Sequence, residues 1–166
     1  MAELDRATVA GATALLRPCC ASTRWASQLV AGRPYRTVAA LTAASDAAIA
    51  ALDWPDIEEA LGAHPRIGDR PDAAGQEAAW SRAEQAGTAA AGPGAQAALR
   101  SGNAEYEHRF GHVFLICATG LRASDVLIAL HGRLGNDPAT EREAVRGELR
   151  KIATLRLAKT FRSGDS

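Results

Sequence analysis

The sequence predicts an all-α fold: a single compact multi-helix bundle of about seven to nine helices, formed by residues 1–166 as one domain. Three observations carry that reading. Alanine is abundant while β-branched residues are scarce and aromatic residues make up only 5% of the chain, which favours helix over sheet. Apolar residues recur at helical spacing through most of the chain, punctuated by cap residues, Gly and Pro. No internal repeat or second domain boundary is visible, and 166 residues suffice to enclose one core. The first and last few residues are expected to be disordered.

In chain order, residues 5–16 are weakly helical, with Val9, Ala12, Leu15 and Leu16 as an apolar stripe that ends at Arg17-Pro18. Ser22 caps a helix carrying Trp25, Leu29 and Val30 inward until Gly32. Arg33-Pro34-Tyr35 is a connector. Thr37 then opens a longer helix in which Val38, Leu41, Ser45, Ala48, Ile49 and Leu52 keep helical spacing. Asp53 N-caps a short helix that Gly62 stops.

Residues 68–75 hold Pro71 and two aspartates and read as a connection, as does Gly92-Pro93-Gly94. Residues 95–109 are helical up to Phe110-Gly111, and Val113 to Ala118 is an apolar run that periodicity assigns to neither strand nor buried helix. Ser124-Asp125 caps a helix ended by Gly135-Asn136. Asp137-Pro138 starts the last long helix, with Thr140 to Glu143 as a capping box. Its apolar series Val145, Leu149, Ile152 continues to Arg156. Eleven residues at about 100° each return to within about 20° of the start, so that guanidinium lies on the inward face. An inward guanidinium needs an anionic or hydrogen-bonding partner unless it snorkels to water.

Composition excludes several classes. The formal net charge is zero, which argues against a nucleic-acid or anionic-membrane partner. No apolar run approaches the roughly 20 residues of a membrane span. The start lacks the layout of a signal peptide, and the ending is not a Ser-Lys-Leu address. Three cysteines, two of them adjacent, give neither a disulfide framework nor a zinc spacing, so a cytoplasmic location is expected. His108 and His112 lie four apart, as two ligands of a metallohydrolase would, but Gly111 breaks the helix between them and no third ligand is suitably spaced. No metal site is expected.

The stretch from Leu61 to Gln85 is the chemically informative one. His64 directly precedes Pro65, which pushes it out of the helical region and presents its imidazole from a stiffened loop. Ser81, Glu84 and Gln85 follow at i, i+3 and i+4 and share one helical face, suited either to a small nitrogen-rich polar molecule or simply to solvent.

His64-Pro65-Arg66-Ile67-Gly68 and Ser81-Arg82-Ala83-Glu84-Gln85-Ala86-Gly87 resemble the paired signatures of the 2-oxo-4-hydroxy-4-carboxy-5-ureidoimidazoline (OHCU) decarboxylases. Asn103-Ala104-Glu105-Tyr106, Phe110-Gly111, Phe114 to Ala118, Arg133-Leu134-Gly135-Asn136 and Ile152 to Leu157 fit the same pattern, so the likeness runs from about Trp25 to Leu157. Where most such sequences carry an aromatic, this one has His112. The resemblance implies cofactor-independent decarboxylation of OHCU to (S)-allantoin, the last step from urate. It implies His64 as the proton-transfer residue with Glu84 orienting it. Pro65, Ser81, Arg82, Ala83, Gln85, Arg156 and the main chain of Phe114, Leu115, Ile116, Cys117 and Ala118 would bind substrate. It also suggests a homodimer. Two readings compete: a helical interaction module without catalysis, and a divergent lyase acting on a related ureido-imidazoline acid.

Overall fold

The computed structural model describes residues 1–68, 76–89 and 91–162. Among them the fold is all-α: ten helices and no strand, one helix more than the upper end of the expected range. The backbone divides into two compact units, Met1–Ala60 with Leu149–Ser166, and Leu61–Glu148.

The first unit is built from α1 (Ala2–Arg6), α2 (Val9–Leu16), α3 (Thr23–Ala31), α4 (Val38–Ala50), most of α5 (Trp54–Leu61) and the C-terminal part of α10 (Pro138–Arg162). The N-terminal residues, expected to be loose, form α1, and Leu4 is fully buried. The single weak helix expected over 5–16 is two. The break lies at Thr8, whose hydroxyl accepts the Gly11 N–H at 3.1 Å and so starts a new helix. Ser22 and Thr37 cap α3 and α4 as their sequence positions predict.

Ser45, a polar residue within the apolar stripe of α4, is fully buried because its Oγ accepts the indole N–H of Trp25 at 3.0 Å. A buried indole needs such a partner, since an unmade hydrogen bond there costs about 1–3 kcal/mol. The connector after α3 contains a cis Arg33-Pro34 bond, and Arg36 takes the left-handed conformation, φ +62°. That conformation is uncommon for a non-glycine residue. Asp5 supports it, its carboxylate accepting the N–H groups of Tyr35 and Arg36 at 2.9 and 3.0 Å.

The second unit holds α6 (Gln76–Glu84), α7 (Ala86–Ala89), α8 (Pro93–Phe110) and α9 (Ala123–Arg133). Its core gathers Ile67, Leu99, Tyr106, Phe114, Val126 and Leu130. Two boundaries differ from expectation, and at the start of α10, which falls at Asp137-Pro138 as expected, the cap differs. Helix α8 begins at Pro93 because proline at the first helical position loses no hydrogen bond that a helix would have made. The cap of α9 is at Arg122, whose N–H is held by Asp125, rather than at Ser124-Asp125. The start of α10 is capped by Asp137, whose carboxylate accepts Ala139 N–H at 3.0 Å and Thr140 N–H at 3.1 Å, so no Thr140–Glu143 box is needed. The expected connection falls on residues 69–75, outside the described residues, apart from Gly68 itself. No helix of the described residues is long and apolar enough to cross a membrane.

Candidate active site

Helix α5 ends as expected before Gly62, and the chain turns through His64, whose N–H donates to the Leu61 carbonyl at 2.9 Å. His64 and Pro65 are both half-buried. Three ties hold the residues that follow. Arg66 donates twice to the Glu107 carboxylate, at 2.5 and 2.8 Å. The Ile67 carbonyl accepts from Asn103 Nδ2 at 2.9 Å. The Gly68 N–H donates to Gln85 Oε1 at 3.1 Å. That third bond joins the two expected signatures in space, the loop of His64 and the end of the Ser81–Gln85 segment.

Helix α6 stops at Glu84, one residue short of the expected face, and Gln85 is in a turn before α7. The helical hydrogen bond from Gln85 N–H to the Ser81 carbonyl persists at 3.0 Å, so the i, i+4 relation survives. Ser81 is buried, Glu84 and Gln85 are half-buried, and Arg82 and Ala83 are exposed. Gly87 explains itself sterically. A Cβ there would run into the Leu121 carbonyl, so only glycine lets α7 lie against that backbone.

Phe114 to Ala118 is neither helix nor strand. Phe114, Leu115 and Ala118 are buried, Ile116 and Cys117 half-buried. Part of the main chain expected to meet substrate is engaged within the protein. Arg133 Nη1 donates to the Leu115 carbonyl at 2.6 Å, and the Cys117 N–H donates to Glu148 Oε2 at 2.8 Å. Both partners were missed from sequence. In the sequence Arg133 is marked only by its place in the Arg133–Asn136 motif, and Glu148 reads as an ordinary polar position of α10.

Behind this segment lies a buried polar cluster. Glu141, fully buried, accepts from Arg133 at 2.5 and 2.8 Å, from Asn136 Nδ2 at 2.8 Å, and from the Tyr106 hydroxyl in a very short hydrogen bond. Burial, and then the bond to Glu141, push the Tyr106 hydroxyl pKa well above its ordinary value, so it remains a donor. The Arg133 guanidinium also stacks 4.6 Å from the Phe114 ring centre. Motif residues Tyr106 of α8, Arg133 of α9 and Asn136 thus meet Glu141 at the start of α10 to brace the 114–118 backbone.

Helix α8 ends at Phe110 with Gly111 left-handed at φ +77°, so His108 and His112 do not share a helical face. His112 is half-buried and packs edge-on to Tyr106 at 5.4 Å. Among the described residues no cluster of three or more His, Cys, Asp or Glu side chains is placed to hold a metal.

In the first unit, Arg156 is 1% exposed, on the inward face that the helical arithmetic gives it. Its Nη1 donates to the Pro18 carbonyl at 3.2 Å. The neighbouring Cys20 thiol is pushed up to about 12, mainly by burial, so it stays protonated and unreactive near neutrality.

The family model for OHCU decarboxylase matches residues 5–158. The chain is 36% identical over 134 residues to the 2-oxo-4-hydroxy-4-carboxy-5-ureidoimidazoline decarboxylase of Amia calva, covering 80% of this chain and 77% of that protein. It is 34% identical over 146 residues to the uric acid degradation bifunctional protein TTL of Arabidopsis thaliana, covering 86% of this chain. The match spans only 45% of that relative's length. A crystal structure of OHCU decarboxylase in the presence of (S)-allantoin superposes with a TM-score of 0.77 at 31% identity, covering 88% of this chain and 96% of that one. A crystal structure of (S)-allantoin synthase shares the fold, with a TM-score of 0.69 at 20% identity over 96% of this chain and 53% of that one.

Fold and likeness together first define a class, the all-α carboxy-lyases. Within it, the chain belongs to the OHCU decarboxylase family.

Proposed function

We propose that this protein converts OHCU to (S)-allantoin without a cofactor, using His64 as the proton-transfer residue. The observation that carries the reading is the family match over residues 5–158, within which the His64 and Ser81–Gln85 signatures are joined through the Gly68–Gln85 hydrogen bond.

The substrate bears a carboxylate and a hydroxyl on one ring carbon, next to a carbon that is doubly bonded to ring nitrogen and carries the ureido group. When the bond to carbon dioxide breaks, its electron pair forms a double bond to that neighbour, and the imine nitrogen takes up charge and a proton. A proton added to one face of the ureido-bearing carbon, with loss of the hydroxyl proton, leaves the ring carbonyl of allantoin. The substrate supplies its own electron sink. What remains for the protein is binding, orientation and delivery of a proton to a single face.

An imidazole titrates nearest neutrality and suits that delivery. In this reading Glu84 orients the imidazole and favours its protonated form. Pro65, Ser81, Arg82, Ala83 and Gln85 bind the polar edge of the ligand. The main chain of Phe114 to Ala118 offers amide groups to ureido and lactam partners. Because Leu115 O and Cys117 N–H are engaged by Arg133 and Glu148, either the other main-chain groups serve or those two exchange partners on binding. Arg156 holds a carboxylate or carbonyl through its planar fork. The working assembly in this reading is a homodimer in the cytoplasm, with no nucleic-acid or membrane partner.

The test generates OHCU in place from urate with upstream enzymes and follows circular dichroism. Rapid growth of the (S)-allantoin signal with this protein is the expected result. Solvent protonates both faces, so slow formation of racemate at the protein-free rate would refute the activity.

A further inference from the structure

Successive residues of the His64 loop meet successive turns of one face of α8. Arg66 is paired with Glu107, the Ile67 carbonyl with Asn103, and Gly68 lies over Leu99, where an added Cβ would come within 3.5 Å of Cδ1. Leu99, Asn103 and Glu107 are spaced by four and form one row along the helix. The pairing is antiparallel: each step forward in the loop is one turn back along α8. Gln85 holds Gly68 by its N–H.

Asn103 is the informative member of the row. The Arg66 side chain is 54% exposed, and ion pairs in such settings contribute about 0–1 kcal/mol. Asn103 is 3% exposed; its Nδ2 holds Ile67, but its Oδ1 has no hydrogen-bond partner among the described residues. An unpaired buried acceptor costs about 1–3 kcal/mol, as much as or more than the roughly 1 kcal/mol a neutral hydrogen bond returns. A leucine, branched at the same carbon with the same number of side-chain heavy atoms, would exchange that unpaired oxygen for an unpaired Ile67 carbonyl and bury more apolar surface. Folding stability alone therefore gives little reason for an amide here, whereas the geometry of the loop does.

We propose that Asn103 is a positioning residue for the reaction. By fixing the Ile67 carbonyl, three residues after the imidazole, it sets the His64–Gly68 backbone and through it the placement of the His64 ring. The proposal rests on His64 being the proton-transfer residue. Proton transfer needs donor and acceptor within hydrogen-bond reach, and a misplacement of about 1 Å can cost on the order of 100-fold in rate.

The test is Asn103→Leu, compared with wild type for thermal midpoint, kcat, KM and the His64 imidazole carbon resonance, the last assigned with His64→Ala. The expected result is a thermal midpoint close to wild type and a kcat per folded molecule lowered about 10- to 100-fold. KM should change much less, and the His64 resonance should move. Unchanged kcat with an unmoved resonance would overturn the proposal, as would a lowered midpoint with unchanged kcat, which marks a purely structural residue. Should that variant not fold, Asn103→Ser, which keeps a donor but shortens its reach, is read by the same four measurements. If His64→Ala itself retains turnover, the functional reading fails separately, and the resonance shift still reports whether Asn103 sets the ring.

Discussion

At Glu107 the Arg66 guanidinium, by hydrogen bonding first and charge second, holds the carboxyl below the usual carboxylate range. A folded-state pKa below the unfolded value, about 4.3 for Glu, stabilises the folded state fully above that value. The stabilisation is lost as pH falls through the folded pKa. This anchor of the His64 loop is therefore intact throughout the neutral range and released only in acid. Carbon NMR of the Glu107 carboxyl is expected to titrate below the unfolded value in wild type and to move up toward it in Arg66→Ala. A midpoint that ignores the substitution would mean the pair seen in the structure does not persist in solution. The same grain of detail shows what sequence can conceal. Arg156 was legible as inward-facing because helical phase is arithmetic. The engagement of Cys117 N–H by Glu148 was not, because the partner lies 31 residues away and polar positions on a long helix carry no mark of what they reach.

Among the elements, glycine positions decide how closely helices approach. At Gly87 the obstacle to a Cβ is the Leu121 main-chain carbonyl, which cannot rotate aside as a side-chain tip can. Gly87→Ala would gain about 1 kcal/mol in helix propensity, yet forcing atoms into a packed contact costs about 1–3 kcal/mol. A net destabilisation of about 1 kcal/mol is expected, read as a lowered denaturant midpoint at constant m-value; a raised midpoint would show that α7 yields freely. Apart from the short α1 and α7, helix existence was readable from period and punctuation, and the caps at Ser22 and Thr37 and the stop at Gly111 fell where the residues predicted. The misses were competitions between neighbouring caps. Asp137 offers both carboxylate oxygens one turn before Thr140 could serve, and Arg122 precedes Ser124 with Asp125 reaching back to it. Thr8 divides what apolar spacing alone joined into one helix. For the run from Val113 to Ala118 the sequence left strand and helix open, and the answer is neither, because its main chain is held by side chains of other segments.

For the molecule as a whole, membership of the OHCU decarboxylase family rests on long, ordered similarity, and the residues that identified it fall into two kinds. Tyr106, Arg133 and Asn136 are spent on the buried Glu141 cluster and act as framework. His64, Glu84 and Gln85 are half-buried, in or beside the loop that α8 holds, and are the residues proposed to meet substrate. That division is testable by removing one imidazole. With OHCU generated in place, His64→Ala should fold with the wild-type helical spectrum while its rate of (S)-allantoin formation drops to about the spontaneous rate. In the proposed reading that group delivers the proton, and the loss should be at least the roughly 100- to 10,000-fold usual for a single general acid–base group. A folded His64→Ala protein that still produced (S)-allantoin at a rate near wild type would contradict the account.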